Sequence, residues 1–240
     1  ELNWRWIHAG APVGSIRIRF SPIQDQQQNL WRLDSRLSWK RDGRALDVRQ
    51  KTDFSGKNLK PVSLQRQLSV EATAGGLTDL TTAAEFKAEE VRIVVRDPRS
   101  GNQVDRVIPL KENCLLLGNQ SFEHWLLIGK RLVLSEPKTI SALIPGEYRF
   151  IDLEFRKERA EKIGDLTVQR WNVSSNAFEA KVWIGENGEV ERYRQGEVEI
   201  QRIRKRPASA SDSPKSPPAG NGSSADGLDE ADSQEGEKKG

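Results

Sequence analysis

The chain contains no methionine, one cysteine and two histidines. Each shortage removes a class of function. Cys114 alone can form no disulfide within the chain. Flanked by Leu115, Leu116 and Leu117, it reads as a small buried hydrophobe. His8, His124 and Cys114 lie far apart in sequence and show no zinc-ligand spacing. A Ser-His-Asp hydrolase would have to use His8 or His124, and no G-x-S-x-G elbow accompanies either. The glycine-rich phosphate loops G-x-G-x-x-G and G-x-x-x-x-G-K-[ST] are missing, so no nucleotide cofactor is expected, and no metal. Apolar runs stay short: Cys114 to Leu117 and Trp125 to Ile128 fall well below the ~18 residues of a membrane-spanning helix. The missing methionine, together with a strand pattern that begins at once, predicts an exported, periplasmic protein whose signal peptide has been removed.

Charge is abundant but balanced. The 38 basic and 35 acidic side chains leave a net charge of +3, too little to imply a nucleic-acid partner. Carboxylates are plentiful enough that a carboxylate-based hydrolase stays open at this stage, because the separation of such a pair is a tertiary fact. No motif supports an enzyme, and the chain is read as non-enzymatic.

What is present is alternation. Trp4, Trp6 and His8 share one side of the first run. Residues Gly10 to Gly14 read as a turn, after which Ile16, Ile18 and Phe20 face in and Arg17 and Arg19 face out. Trp31, Leu33, Leu37 and Trp39 form a long strand that ends at an Asp42-Gly43 hairpin signal. The pattern continues through Leu46 to Phe54, Pro61 to Val70, Leu77 to Phe86, Glu90 to Arg96 and Thr139 to Ile144. Between Glu147 and Arg204 further short runs form a meander, with Asn187-Gly188 as a hairpin signal. Strands at intervals of roughly 10 residues indicate a sandwich or barrel. One segment departs from the pattern: Ser121 can cap a short helix, Phe122 to Ile128, ended by Gly129. From Lys205 onward Pro, Ser, Gly and acidic residues replace large apolar ones, so 205–240 is read as a disordered tail. Removing Pro207 to Gly240 is expected to leave the melting temperature within about 2 °C. The fold class is therefore all-β: a large curved antiparallel sheet or open β-barrel over residues 1–204, with one short helix and a disordered tail.

Two groups of residues are candidates for function. Arg17, Arg19, Arg32, Arg36, Lys40, Arg41, Arg44 and Arg49 read as a solvated outer face, with attraction to anionic headgroups a weaker reading. Seven tryptophans exceed what a small β core needs. An apolar cavity lined by Trp4, Trp6, Trp31, Trp39, Phe122 and Trp125, with the 121–129 helix as its lid, would account for them. Trp183 shares a face with Glu179 and Lys181, so either the chain covers it or a bulge inverts the register; cover is expected.

The stretch Trp4 to Phe20 resembles the opening of a family of uncharacterised exported bacterial proteins known only as a domain of unknown function. Members begin with an aromatic strand, a Gly-small-Pro-Val-Gly turn and an alternating strand, here Gly10-Ala11-Pro12-Val13-Gly14-Ser15-Ile16-Arg17-Ile18. Asn58-Leu59-Lys60-Pro61-Val62 is similar to that family's strand entry, and Val182-Trp183-Ile184 before Asn187-Gly188 is similar to its closing hairpin. The resemblance implies a curved sheet or open barrel in the periplasm, broadly similar to lipoprotein-carrier folds, and no catalytic residues. Three functions follow as expectations. The first is binding of an apolar or amphipathic small molecule, a lipid or acyl chain. The second is a structural or adaptor module with a filled core and a cell-envelope protein as partner. The third is a carboxylate hydrolase.

Overall fold

The computed structural model describes residues 1–23, 29–56, 59–72, 76–112, 114–118 and 122–204. Residues Glu1–Arg204 form one compact unit. The expected tail, the Ser121 cap and Asn58 lie outside the described residues.

Period-2 alternation produces long strands. The first four are β1 (Leu2–His8), β2 (Ala11–Ile23), β3 (Leu30–Arg41) and β4 (Arg44–Ser55). β5 (Lys60–Glu71), β6 (Leu77–Phe86), β7 (Glu90–Arg96) and β8 (Gln103–Pro109) continue the meander. After β9 (Leu115–Leu116) comes the helix α1 (His124–Ser135), then β10 (Thr139–Ile144) and a short 3-10 turn, Pro145–Glu147. β11 (Arg149–Ile163), β12 (Leu166–Ser174), β13 (Glu179–Gly185), β14 (Val190–Gln195) and β15 (Val198–Arg202) complete the chain. All belong to one sheet in the order β8-β7-β6-β5-β4-β3-β2-β1-β15-β14-β13-β12-β11-β10-β9. Pairing is antiparallel throughout the described sheet except between β9 and β10, which run parallel. The sheet is thus mixed rather than wholly antiparallel, because α1 returns the chain to the same end before β10 begins.

Two hairpins are tight. Ala9 and Gly10 take φ of 47° and 82°, and Asp42 and Gly43 take 48° and 68°. Two consecutive left-handed residues make the turn whose twist matches paired strands. The first turn is therefore Ala9-Gly10, and Pro12 and Gly14 already belong to β2, against the expected five-residue turn. At Gly185–Glu189 the chain uses a different solution: the Gly188 N–H donates to the Gly185 carbonyl at 2.9 Å and Gly188 sits at φ 76°, a turn closed by a bulge. Asn187-Gly188 is not itself a two-residue hairpin loop.

The sheet rolls up without closing. Bulges between Trp6 and Ile7, Asp53 and Phe54, Lys157 and Ala160, and Trp183 and Ile184 interrupt the ladders. Each adds local twist and bend. No hydrogen-bonded pair joins the two ends among the described residues; they overlap through side chains. Leu64, Ala84, Val91 and Ile93 of β5 to β7 pack against Leu116 of β9 and Leu143 of β10. The other face of β10, with Ile140, Ala142 and Ile144, belongs to the main core inside the roll. That burial on both sides is why this strand reads as a continuous apolar run.

The helix begins and ends later than expected. It runs over His124–Ser135, and Gly129 lies in its middle. A Cβ on Gly129 would sit 2.6 Å from the Gly188 carbonyl oxygen, so this glycine permits close packing against the β13–β14 turn. The helix ends at Glu136, in the left-handed region at φ 41°. Its buried residues, Trp125, Leu127, Ile128 and Leu132 among them, plug the concave face of the roll. Cys114 is buried, as its neighbours indicated.

Candidate functional site

Strand register arranges the inner face in rows. The deepest row that bears on the site includes Trp4, Ile16, Leu37 and Val48 on adjacent strands. These four are fully enclosed, and the Trp4 indole N–H donates to the Val190 carbonyl at 3.2 Å. The next row reads Val182, Tyr193, Ile200, Trp6, Gly14, Trp39 and Leu46 across seven strands. Gly14 thus falls between two tryptophans. A Cβ there would lie 2.3 Å from the Ser38 carbonyl oxygen and 2.5 Å from Trp39 Cβ, so the glycine seats the Trp39 backbone and leaves space above itself. One row further, at the strand ends, come Gln195, Val198 and His8 on one side and Arg41 opposite Arg44 on the other.

Above the Gly14 row lies a cavity of about 1150 Å³. Trp6, Trp39, Phe122, Trp125, Phe178 and Tyr193 form its aromatic wall. The rings touch in sequence: Trp125 meets Tyr193 at 5.0 Å and Phe178 at 6.4 Å, and Phe122 meets Tyr193 at 6.0 Å. Such pairs contribute roughly 0.5–1.5 kcal/mol each beyond burial, which stiffens the wall. Burial pushes the Tyr193 phenol well above its usual range, so it stays protonated and donates to Gln195 Oε1 at 2.7 Å.

The mouth is charged. His8, Arg41, Asp42 and Arg44 line it from the β1–β2 and β3–β4 hairpins, and Glu147 and Arg149 line it from the β10–β11 connection. Arg41 pairs with Asp42 at 2.7 Å and Arg149 with Glu147 at 2.6 Å. Arg41 also donates to His8 Nδ1. Arg41 and Arg44 were expected on the outer face. They share the pleat of Trp39 and Leu46, two residues away on each strand, and so point inward. The rest of the basic set fits a solvated exterior: Arg32 holds Asp53 bidentately at 2.8 and 3.0 Å, and Arg36 and Arg49 both bond Asp47. The Arg32 hydrogen bonds keep the Asp53 carboxyl below the usual carboxylate range.

Of the six expected lining residues, the structure brings together Trp6, Trp39, Phe122 and Trp125. Trp4 lies one row deeper and supports the wall, its ring 5.4 Å from Phe122. Trp31 does not reach the site. It stands four rows away along β3, stacked on Phe20 at 5.0 Å, and Phe20, expected to face in, is 43% exposed there. The helix supplies a wall rather than a lid, because Phe122 and Trp125 face the cavity while Ile128 and Leu132 are locked in the core. Phe178, Tyr193, Arg41, Arg44 and Arg149 were missed. Strand parity would have found the first four; Arg149 arrives only through the roll.

Beneath the N-terminus of α1 a polar group is enclosed in the core. The Gly118 N–H donates to His124 Nδ1 at 3.2 Å, and His124 Nε2 lies 3.0 Å from the Gln50 amide. The atom facing His124 Nε2 is Gln50 Nε2, which also donates to Thr52 Oγ1 at 3.1 Å, so one buried polar chain links β4 to the start of the helix. Burial first, and the Arg66 charge second, push the imidazole down to about 3. Trp183 is covered, as expected. It is 5% exposed, its N–H donates to Glu161 at 2.9 Å, and the Arg192 guanidinium lies 4.9 Å over its ring.

No protein-family model matches the chain, and no curated protein is similar to it in sequence. In fold it is similar to the crystal structure of a β-barrel-like protein of the domain of unknown function DUF1849 from Brucella abortus. The TM-score is 0.53 at 8% identity, over 84% of this chain and 93% of that one. This likeness is one of architecture: a β-rich, barrel-like domain. No helix among the described residues is long and apolar enough to cross a membrane. No group of three or more metal-ligating side chains occurs among them.

Proposed function

We propose that this protein is a non-enzymatic, exported carrier or receptor that holds an apolar or amphipathic ligand, a lipid or acyl chain, inside the roll. The observation that carries this reading is the cavity of about 1150 Å³ with an aromatic wall. It is somewhat larger than an ordinary small-molecule pocket of ~300–1,000 Å³, and like such pockets it sets a few polar groups at one end of an apolar wall. A curved sheet around an apolar space, plugged by a helix, also supports the broad similarity to periplasmic lipoprotein-carrier folds. Burying a methylene in such a wall is worth roughly 0.8 kcal/mol. Affinity for a homologous series of saturated chains should therefore rise about fourfold per carbon until the cavity is full.

Native mass spectrometry of protein purified from its own host, with titration by a fluorescent fatty acid, tests the proposal. A co-purifying lipid or saturable probe binding supports it. A wild type that binds no apolar probe, yet loses stability on Trp125→Ala, would make the helix a plain core plug. That outcome would favour the second reading, a structural or adaptor module, for which the open edge strand β8 speaks: its Val104 and Val107 are 44% and 56% exposed.

A further inference from the structure

We infer that the ligand of this cavity carries an anionic head, a carboxylate or phosphate on an apolar chain, and that Arg44 and its neighbours hold that head at the mouth. The inference rests on the ligand-binding reading above and adds the chemistry of the ligand's polar end.

An aromatic wall alone does not set the sign of a head group. Clustered indole and phenyl faces attract cations, including quaternary ammonium groups. The mouth decides. Three guanidinium groups, Arg41, Arg44 and Arg149, face two carboxylates, Asp42 and Glu147, around it. Both carboxylates are already held by guanidinium groups within the same rim. His8 is engaged at both ring nitrogens, Nδ1 accepting from Arg41 and Nε2 lying 3.6 Å from the Glu197 carboxylate. Arg44 makes no ion pair among the described residues and is solvent-accessible. Among the residues that line the cavity, the rim therefore has one more guanidinium than carboxylate, and the exposed Glu197 carboxylate beside it faces His8; the surplus favours an anion over an ammonium head.

Register gives the spacing. Arg41 pairs with Arg44 one pleat repeat beyond the pairing of Trp39 with Leu46. Two residues of strand rise about 6–7 Å. A chain lying on the Trp6–Trp39 wall would present its head to the two arginines within a few bond lengths of the last ring contact. Guanidinium forks suit either anion, since both carboxylate and phosphate offer paired oxygens.

The test is a fluorescence titration of the full chain with parinaric acid and with its methyl ester, which share a tail and differ in charge. The acid should bind more tightly than the ester, and raising salt should erode the preference. Arg44→Gln, at an exposed position that leaves the core untouched, should cut the acid-to-ester preference by about fivefold. Glu147→Gln should increase it, by removing the carboxylate that competes for Arg149. Displacement of the probe by dodecanoate or by dodecyl phosphate, each against dodecanol, distinguishes the two anionic sources. Equal binding of acid and ester, or a preference unchanged in both variants, overturns the anionic head and leaves the cavity reading standing. Absence of binding by either form overturns both.

Discussion

Gly14 and His124 show how single positions shape the interior. A methyl at Gly14 meets backbone, the Ser38 carbonyl at 2.3 Å and Trp39 Cα at 2.8 Å, and backbone cannot swing aside as a side-chain tip does. Gly14→Ala should cost about 1–3 kcal/mol in urea denaturation and change the emission of Trp39; an unaltered midpoint would show that β2 and β3 separate easily. His124 gives a pH-dependent expectation. Its folded value near 3 lies below its ordinary value of 6.5, so between these the unfolded chain binds a proton that the folded one refuses. Stability then rises with pH across that window, by up to about 1.4 kcal/mol per unit, and levels off above it. Arg66, whose charge opposes protonation, and the buried Glu123 face this site. Carboxylates held down by hydrogen bonds, such as Asp53 and Glu189, lose their contribution at lower pH, below about 4.5. Equilibrium unfolding between pH 6.5 and 5 isolates the histidine: the wild-type slope should flatten in His124→Gln.

At the scale of elements, α1 divides by burial. Leu132 is 0% exposed and Leu134 is 84% exposed, two residues apart on one helix. Leu132→Ala should cost about 2–5 kcal/mol, and Leu134→Ala should fall within ±0.5 kcal/mol; similar losses at both would mean that Leu134 is covered by something else. Gly129→Ala should destabilise although alanine is the better helix former by about 1 kcal/mol, because its Cβ would press on the Gly188 carbonyl at 2.6 Å. This same glycine explains why the helix was misplaced from sequence. A glycine after an apolar run is the usual sign of a helix end, and nothing local distinguishes it from a glycine needed for contact with a distant turn. The strands were easier to read. Period-2 alternation identified their cores, and a two-residue Asp42-Gly43 turn fixes Arg41 opposite Arg44 and Trp39 opposite Leu46. The inward path of both arginines was thus written in the register, but charge overrode parity in the sequence reading. Trp31 failed for the complementary reason: it has the right parity but stands at the wrong end of a 12-residue strand, and alternation carries no information about depth along the roll.

At the scale of the molecule, the consequential feature is a seam that sequence does not announce. The ends of the sheet meet through Leu143 and Leu116 on one side and Leu64, Ala84, Val91 and Ile93 on the other, with no ladder between them. Among the described residues side-chain contacts alone hold it, whereas every other strand boundary has hydrogen bonds as well, so local opening should begin there. The chain carries its own reporter. Cys114 is the sole cysteine, is buried, and precedes β9 directly. Burial pushes its thiol up, so labelling requires exposure rather than mere collision. Leu143→Ala removes a fully enclosed side chain at the seam and should cost about 2–5 kcal/mol. If the seam opens independently, the rate of Cys114 labelling in native buffer should rise far more than the global unfolding rate, while hydrogen exchange in β1 to β4 stays protected. If labelling and global unfolding accelerate together, the roll opens as one cooperative unit and the overlap is part of the core rather than a seam.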